Sequence, residues 1–187
     1  MEQPVNDREL LERIAGKDQS AVQVLFARYN VRIFRFILRL VRNDAVAEEL
    51  TNEVFLDIWR QAGRYEGRSA VSTWVLAIAH NKAVSLLRKK SDEGIDDDKL
   101  GGIEDESDTP EITAQKASKG EVMRSCIDKL SDEHREVIDL VYYHEKSVKE
   151  VSQITGIAES TVKTRMFYAR KQLSDLLKKA GIDRGWP

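Results

Sequence analysis

Two tracts of this chain set cations beside aromatic and amide side chains at helical spacing, a combination suited to handling nucleic acid. The first is residues 64–90, where Arg64, Arg68, Lys82, Arg88, Lys89 and Lys90 stand against Glu66 alone. Wound at about 100° per residue, Trp74, Ala77, Asn81 and Arg88 fall along one stripe. A ring there stacks a base, an amide bonds its edge and a guanidinium holds a phosphate, which are the parts of a single-strand binding surface. Tyr65, between Arg64 and Arg68 in the preceding loop, is placed to hold a base taken out of the stack. Trp74 equally suits a place in the core. The second tract starts at Glu159. Its Val162, Met166, Ala169 and Leu173 fall within about 60° of arc. The opposite face carries Ser160, Thr164, Phe167 and Lys171, flanked by Lys163 and Tyr168. Lysines and hydroxyls reach phosphates and base edges, and an apolar ring touches a thymine methyl, as a major-groove helix requires.

The elements that must position these residues are helices. Ser147 and Glu150 match a capping box, and Val148, Val151 and Ile154 give the helix behind it an apolar stripe. Gly156 supplies a tight turn and Ile157 re-enters the core, so residues 147–171 read as a helix-turn-helix. The second helix of that pair ends near Gly181, with Lys178 and Lys179 in its last turn. Upstream, the spacing predicts helices over residues 111–130 and 132–143, the latter behind a Ser131 cap. The N-terminal block parses as four helices. Residues 7–15 turn Leu10, Leu11 and Ile14 inward, and residues 18–42 repeat Val22, Leu25, Tyr29, Ile33, Phe36 and Leu40 at spacings of three or four. After Asn43–Asp44, Val46, Leu50, Val54 and Ile58 form a third stripe, and residues 63–69 form a loop. The fourth helix, residues 70–90, buries Val71, Val75, Ile78, Ala79 and Leu86. Lys82 and Lys89 project near that stripe, so either they snorkel or the helix phase is slightly different.

Composition agrees with an all-α chain of two small domains. Of 187 residues, 41% are hydrophobic and 33% charged, and only 10 Gly and 3 Pro leave little punctuation for a many-stranded fold. The net charge of −2 conceals segregation, because residues 91–111 hold ten acids against Lys99 alone. That stretch is −9 and the remainder +7. Residues 91–110, with Gly94, Gly101, Gly102 and Pro110, read as a flexible acidic linker between an N-terminal domain, 1–90, and a C-terminal one, 111–187. The acid run is either a solvated tether or a tail that competes with DNA for the basic faces. The lone Cys126 excludes an internal disulfide and a cysteine zinc site. Three histidines, His80, His134 and His144, lack metal-pair spacing, and no phosphate loop or nucleophile–base set appears, so neither cofactor, metal nor catalysis is expected. No signal segment or membrane span is visible, and a cytoplasmic location is expected.

The order of these words resembles the extracytoplasmic-function (ECF) sigma factors of bacterial RNA polymerase. The matching residues are 47–55 (AEELTNEVF), Ser72-Thr73-Trp74 through Ala79-His80-Asn81, Leu130-Ser131, Arg135-Glu136-Val137 and 161–165 (TVKTR). The resemblance implies a first domain that binds core polymerase and melts the minus-ten element, and a second that reads the minus-thirty-five element. By position it puts polymerase binding on Glu49, Asn52, Glu53, Phe55 and Trp59. It puts minus-ten recognition on Tyr65, Arg68, Trp74, Asn81 and Arg88, and minus-thirty-five contacts on Ser160, Lys163, Thr164, Phe167 and Lys171. Arg165 lies near the buried edge of its helix and is expected to touch backbone phosphate or to brace the domain. The resemblance also implies an anti-sigma factor as a partner and a role in a stress or envelope response. Many relatives have Gln at Asn52, Phe at Val71, Arg at Ala77 and Gly at Ser160, so the strand-binding stripe here lacks one common cation. Two other readings use the same residues: a sigma mimic that titrates an anti-sigma factor, and a repressor that binds duplex operators with its helix-turn-helix alone.

Overall fold

The computed structural model describes residues 6–92 and 119–181. Its contacts divide the chain into two compact units, the first holding the described helices up to residue 92 and the second most of those from residue 119 onward. All the regular elements among the described residues are helical.

The first unit is a bundle of four helices: α1 (Asp7–Ala15), α2 (Gln19–Val41), α3 (Asp44–Gln61) and α4 (Val71–Asp92). Each of the first three starts at an acid or amide cap. Asn6 accepts from the Glu9 amide, Asp18 from Ser20 and Ala21, and Asn43 from Val46, which satisfies orphan donors of each first turn. α2 is the hub and packs on α1, α3 and α4. Its Leu25, Ile33, Phe36 and Ile37 are buried, as are Leu10 and Ile14 of α1, Val54 and Ile58 of α3, and Val75 and Leu76 of α4. Val22, Leu40 and Val46, expected inside, are half-buried at the edges of the bundle. The Tyr29 hydroxyl donates to Asp7, which also pairs with Arg28 at 2.7 Å, so α1 is tied to α2 by charge as well as packing. A single 3-10 turn, Ala62–Arg64, leads into the loop before α4, and Gly67 there takes φ 71°, a left-handed value that favours glycine.

In the second unit α5 (Lys119–Asp128) and α6 (Asp132–Ile138) pack on α8 (Glu159–Lys179), with α7 (Val148–Thr155) before it. The helix expected over residues 111–130 is described only from Lys119 onward; its start and the linker from residue 93 lie outside the described residues. Residues 132–143 do not form one regular α-helix. After Ile138 the chain widens into a π-helical turn, Asp139–Tyr143, closed by the His144 amide on the Asp139 carbonyl at 3.2 Å. The wider turn brings His144 Nε2 to 3.3 Å from Asp139 Oδ2, both side chains buried. Burial of a carboxylate at position 139 favours that geometry, because a regular helix would carry residue 144 past it. Cys126 is buried.

Candidate functional site

The capping box is complete. Ser147 Oγ accepts the Glu150 amide at 3.3 Å, and the Glu150 carboxylate accepts the Ser147 amide at 3.0 Å. Gly156 takes φ 74° with open space where a Cβ would stand, and the Ser152 hydroxyl closes the turn on the Ile157 carbonyl at 2.6 Å. Ile157 itself is half-buried. α8 then buries Val162, Met166, Ala169, Leu173 and Leu177. The expected face is outside: Ser160, Lys163, Thr164, Phe167 and Lys171 are all exposed. Phe167 is 64% accessible and Tyr168 54%, and their rings meet edge-on at 5.4 Å. The Thr164 hydroxyl donates to the Ser160 carbonyl at 3.0 Å, which leaves its oxygen lone pairs for a ligand. Arg165 pairs with Glu133 of α6 at 2.8 Å, so of its two expected roles the free protein exhibits the brace. An open groove of about 810 Å³ runs beside this face, lined by Val141, Val148, Met166 and Phe167 with Lys146, Lys163, Arg170 and Lys171. Its lining is drawn from the turn before α7 as well as from α8, so no single helical stripe marks it in the sequence.

In the first unit the loop and α4 bring Tyr65 and Trp74 together. Their rings lie 5.5 Å apart at 57°, within the range of a favourable tilted pair. The Tyr65 hydroxyl donates to the Ser69 carbonyl at 2.5 Å and fixes the loop around it. Trp74 is half-buried, so it is part core and part surface. Asn81 and Arg88 are exposed further along α4, at about 10 Å steps from Trp74 along the axis. Arg68 is exposed and paired with Glu66 at 2.6 Å. The buried side of α4 differs from the expected one. Val71, Val75 and Ala79 are inside, but so are Leu76, His80 and Ala83, while Ile78 and Leu86 are half-buried. The face is turned by about 60° because α4 is covered by α2 as well as α3. That rotation puts Lys89 outside and Lys82 at the α3 edge. The Lys82 ammonium reaches Glu53 at 2.9 Å and Asp57 at 3.0 Å. Burial pulls its pKa down, but the two carboxylates outweigh that and the net shift is upward.

On α3, Glu49 and Asn52 are exposed and Glu53 is partly exposed. Phe55 departs from expectation. It is 6% accessible, inside the bundle, with its ring 4.7 Å from Phe26 of α2. Leu56 takes the outward position at 52% accessible, seven residues from Glu49 and so on the same face. Helical spacing separates the two positions poorly, since both lie well off the Val46–Leu50–Val54–Ile58 stripe, and the contact with Phe26 decides which is inside. Trp59 is half-buried beneath Lys17, whose Nζ lies 4.9 Å from the ring centroid. Among the described residues no group of three or more His, Cys, Asp or Glu is placed to hold a metal, and no helix is long and apolar enough to cross a membrane.

Comparison with known proteins agrees with this geometry. A family profile described as Sigma-70 region 2 matches residues 25–93, and one described as Sigma-70, region 4, matches residues 121–173. The ECF RNA polymerase sigma factor SigK of Mycobacterium tuberculosis (strain H37Rv) is 30% identical over 172 residues, covering 90% of this chain and 91% of that protein. SigK of Mycobacterium sp. (strain KMS) is 28% identical over 160 residues, covering 84% and 83%. Among solved structures, the sigma factor RpoE of Bartonella quintana, in complex with the anti-sigma factor NepR, aligns with TM-score 0.66 and 26% identity over 87% of this chain and 98% of that one. CnrH in complex with the cytosolic domain of CnrY aligns at TM-score 0.65 and 23% identity over 92% and 97%, a likeness of fold. With region 2 matched from within α2 through α4 and region 4 on the helix-turn-helix unit, the chain belongs to the sigma-70-like ECF RNA polymerase sigma factors.

Proposed function

We propose that this sigma factor divides promoter recognition between its two units. The outward face of α3, with Glu49, Asn52, Glu53 and Leu56 and with Trp59 at its edge, binds core polymerase. Phe55 supports that face from behind through Phe26. The loop and α4 capture the melted minus-ten strand: Tyr65 and Trp74 hold unstacked bases, Asn81 bonds a base edge, and Arg68 and Arg88 hold phosphates. α8 reads the minus-thirty-five duplex, with Lys163 and Lys171 on phosphates, Ser160 and Thr164 on phosphates or base edges, and Phe167 against a thymine methyl. The observation that carries this reading is Phe167, a large apolar ring 64% accessible between lysines on a helix-turn-helix. Folding alone does not account for that exposure, and a major groove does.

No catalytic residue of the chain's own is required, since positioning and stacking supply the work. The RpoE likeness supports control by an anti-sigma factor; a stress or envelope response in the cytoplasm is the setting that this reading proposes for it. The test is run-off transcription by core polymerase plus this chain on a randomised promoter library. Enrichment of paired minus-thirty-five and minus-ten elements is the expected result. Duplex binding without polymerase-dependent transcripts would assign the chain to the repressor reading instead.

A further inference from the structure

The seam between α3 and α4 holds a charged cluster whose lysine belongs to neither binding face. Lys82 of α4 sits between two α3 carboxylates, 2.9 Å from Glu53 and 3.0 Å from Asp57. Its side chain is 22% accessible, as is that of Asp57, whereas Glu53 is 44% accessible. Arg60 stands at the outer edge, 3.7 Å from Asp57. Glu53 therefore faces two ways. One oxygen is held by the helix that carries Trp74 and Asn81, and the carboxylate also lies on the face proposed for polymerase.

We infer that Lys82 is a positioning residue that competes internally for Glu53: it clamps α4 against α3 and, by occupying that carboxylate, holds down the affinity for core polymerase. The inference rests on the polymerase-binding reading of the α3 face. A cation of the partner approaching Glu53 meets an ammonium already on the same carboxylate. Opposite charge is partly cancelled before contact, and like charges are brought together at it. The same contacts fix the rotation of α4 next to Asn81, so the lysine acts with opposite sign on two steps. It weakens docking to core and it steadies the strand-binding stripe.

The test uses the full chain with core polymerase. Lys82→Met keeps the apolar stem and removes the charge. It should raise core affinity on the order of two- to fivefold, the size expected for partly exposed ion pairs. It should steepen the salt dependence of core binding and lower the rate of promoter opening by the assembled holoenzyme. A lysine with a merely structural role would, on removal, weaken both steps. Lys82→Arg, which keeps the charge, should restore core affinity to the starting value, and most of the gain should vanish in a Glu53→Gln background. If Glu53→Gln weakens core binding but Lys82→Met leaves affinity and salt slope unchanged, the competition is overturned and the face assignment stands. If Glu53→Gln has no effect on core binding, the face assignment falls and the competition with it.

Discussion

Replacing Trp74 by Ala is the sharpest test of strand capture. The ring is half-buried and pairs with Tyr65 at 5.5 Å, so two losses follow and they are separable. Within the protein, the aromatic pair is worth about 0.5–1.5 kcal/mol beyond area burial. Loss of the burial of a half-buried tryptophan adds about half of the ~3–5 kcal/mol of a full core truncation, and the total still falls below most of the roughly 5–15 kcal/mol that holds a domain folded, so the bundle should persist with a lowered melting temperature. Toward DNA, one stacked base is worth about 1–3 kcal/mol, or about five- to 150-fold in affinity. The assay is equilibrium binding of holoenzyme to a promoter fragment whose minus-ten region carries a preformed mismatch bubble. Using a bubble removes the melting step from the measurement. Trp74→Ala should lose affinity in that range and Trp74→Phe should retain most of it. Binding by Trp74→Ala within about twofold of the parent, with a lowered melting temperature, would place the ring in the core alone and refute base stacking at this position.

Three further outcomes follow from the other faces. Lys163→Ala should weaken promoter binding and reduce the slope of log affinity against log salt by about 0.9, one phosphate contact's worth; an unchanged slope would remove Lys163 from the phosphate set. Leu56→Ala should weaken core binding about fivefold, since a partner that covers this half-exposed side chain gains about half of the ~2 kcal/mol of a buried leucine, and a neutral result in a core-binding titration would move the interface elsewhere. The Asp18 cap of α2 should be visible in acid. The Ser20 hydroxyl first, and Arg13 second, hold its carboxyl at about 2, below the ordinary 3.8. Its stabilising contribution is therefore full above 3.8 and is lost as pH falls through about 2. Thermal midpoints of Asp18→Asn measured across that window should lack this part of the parent's acid decline, and an identical decline would assign it to other groups.

The sequence was most legible where one periodic signal acted alone. Buried Val162, Met166, Ala169 and Leu173 fixed the phase of α8, and the exposed Phe167 face followed from them. The Ser147–Glu150 box and Gly156 marked both ends of α7 because capping and left-handed turns depend on local chemistry. Legibility fell where two neighbours compete for one helix. α4 is covered by both α2 and α3, so its buried arc is too wide for a single stripe, and Lys82 looked misplaced until Glu53 and Asp57 were seen to receive it. Phe55, expected on the outer face, lies inside because an adjacent pair of large apolar residues on a helix points about 100° apart, and only Phe26, 29 residues upstream, decides which one is inside. The Asp139–Tyr143 widening had no periodic signature, since a single extra residue per turn is set by the buried Asp139–His144 pair rather than by apolar spacing.

The energetics of opening explain why such a chain acts as a subunit. Each base-pair step costs about 1.4 kcal/mol of stacking to melt. The stacking proposed for Tyr65 and Trp74, at about 1–3 kcal/mol per base, would offset only about one to four such steps between them. The phosphate contacts proposed for Arg68 and Arg88 would add affinity for either form of DNA and so discriminate weakly between duplex and melted strand. The remainder of a transcription bubble must be held by another molecule, and the carboxylate-and-leucine face of α3 is where we propose that this chain meets it. The isolated chain should therefore bind a single-stranded minus-ten oligonucleotide, with strong salt dependence, and yet leave the same sequence closed in a duplex. Permanganate reactivity of thymines in that duplex, absent with the chain alone and present once core polymerase is added, is the expected pattern. Reactivity with the chain alone would mean that its aromatics do more than two stacked bases allow, and that the balance drawn here between α4 and the polymerase is wrong.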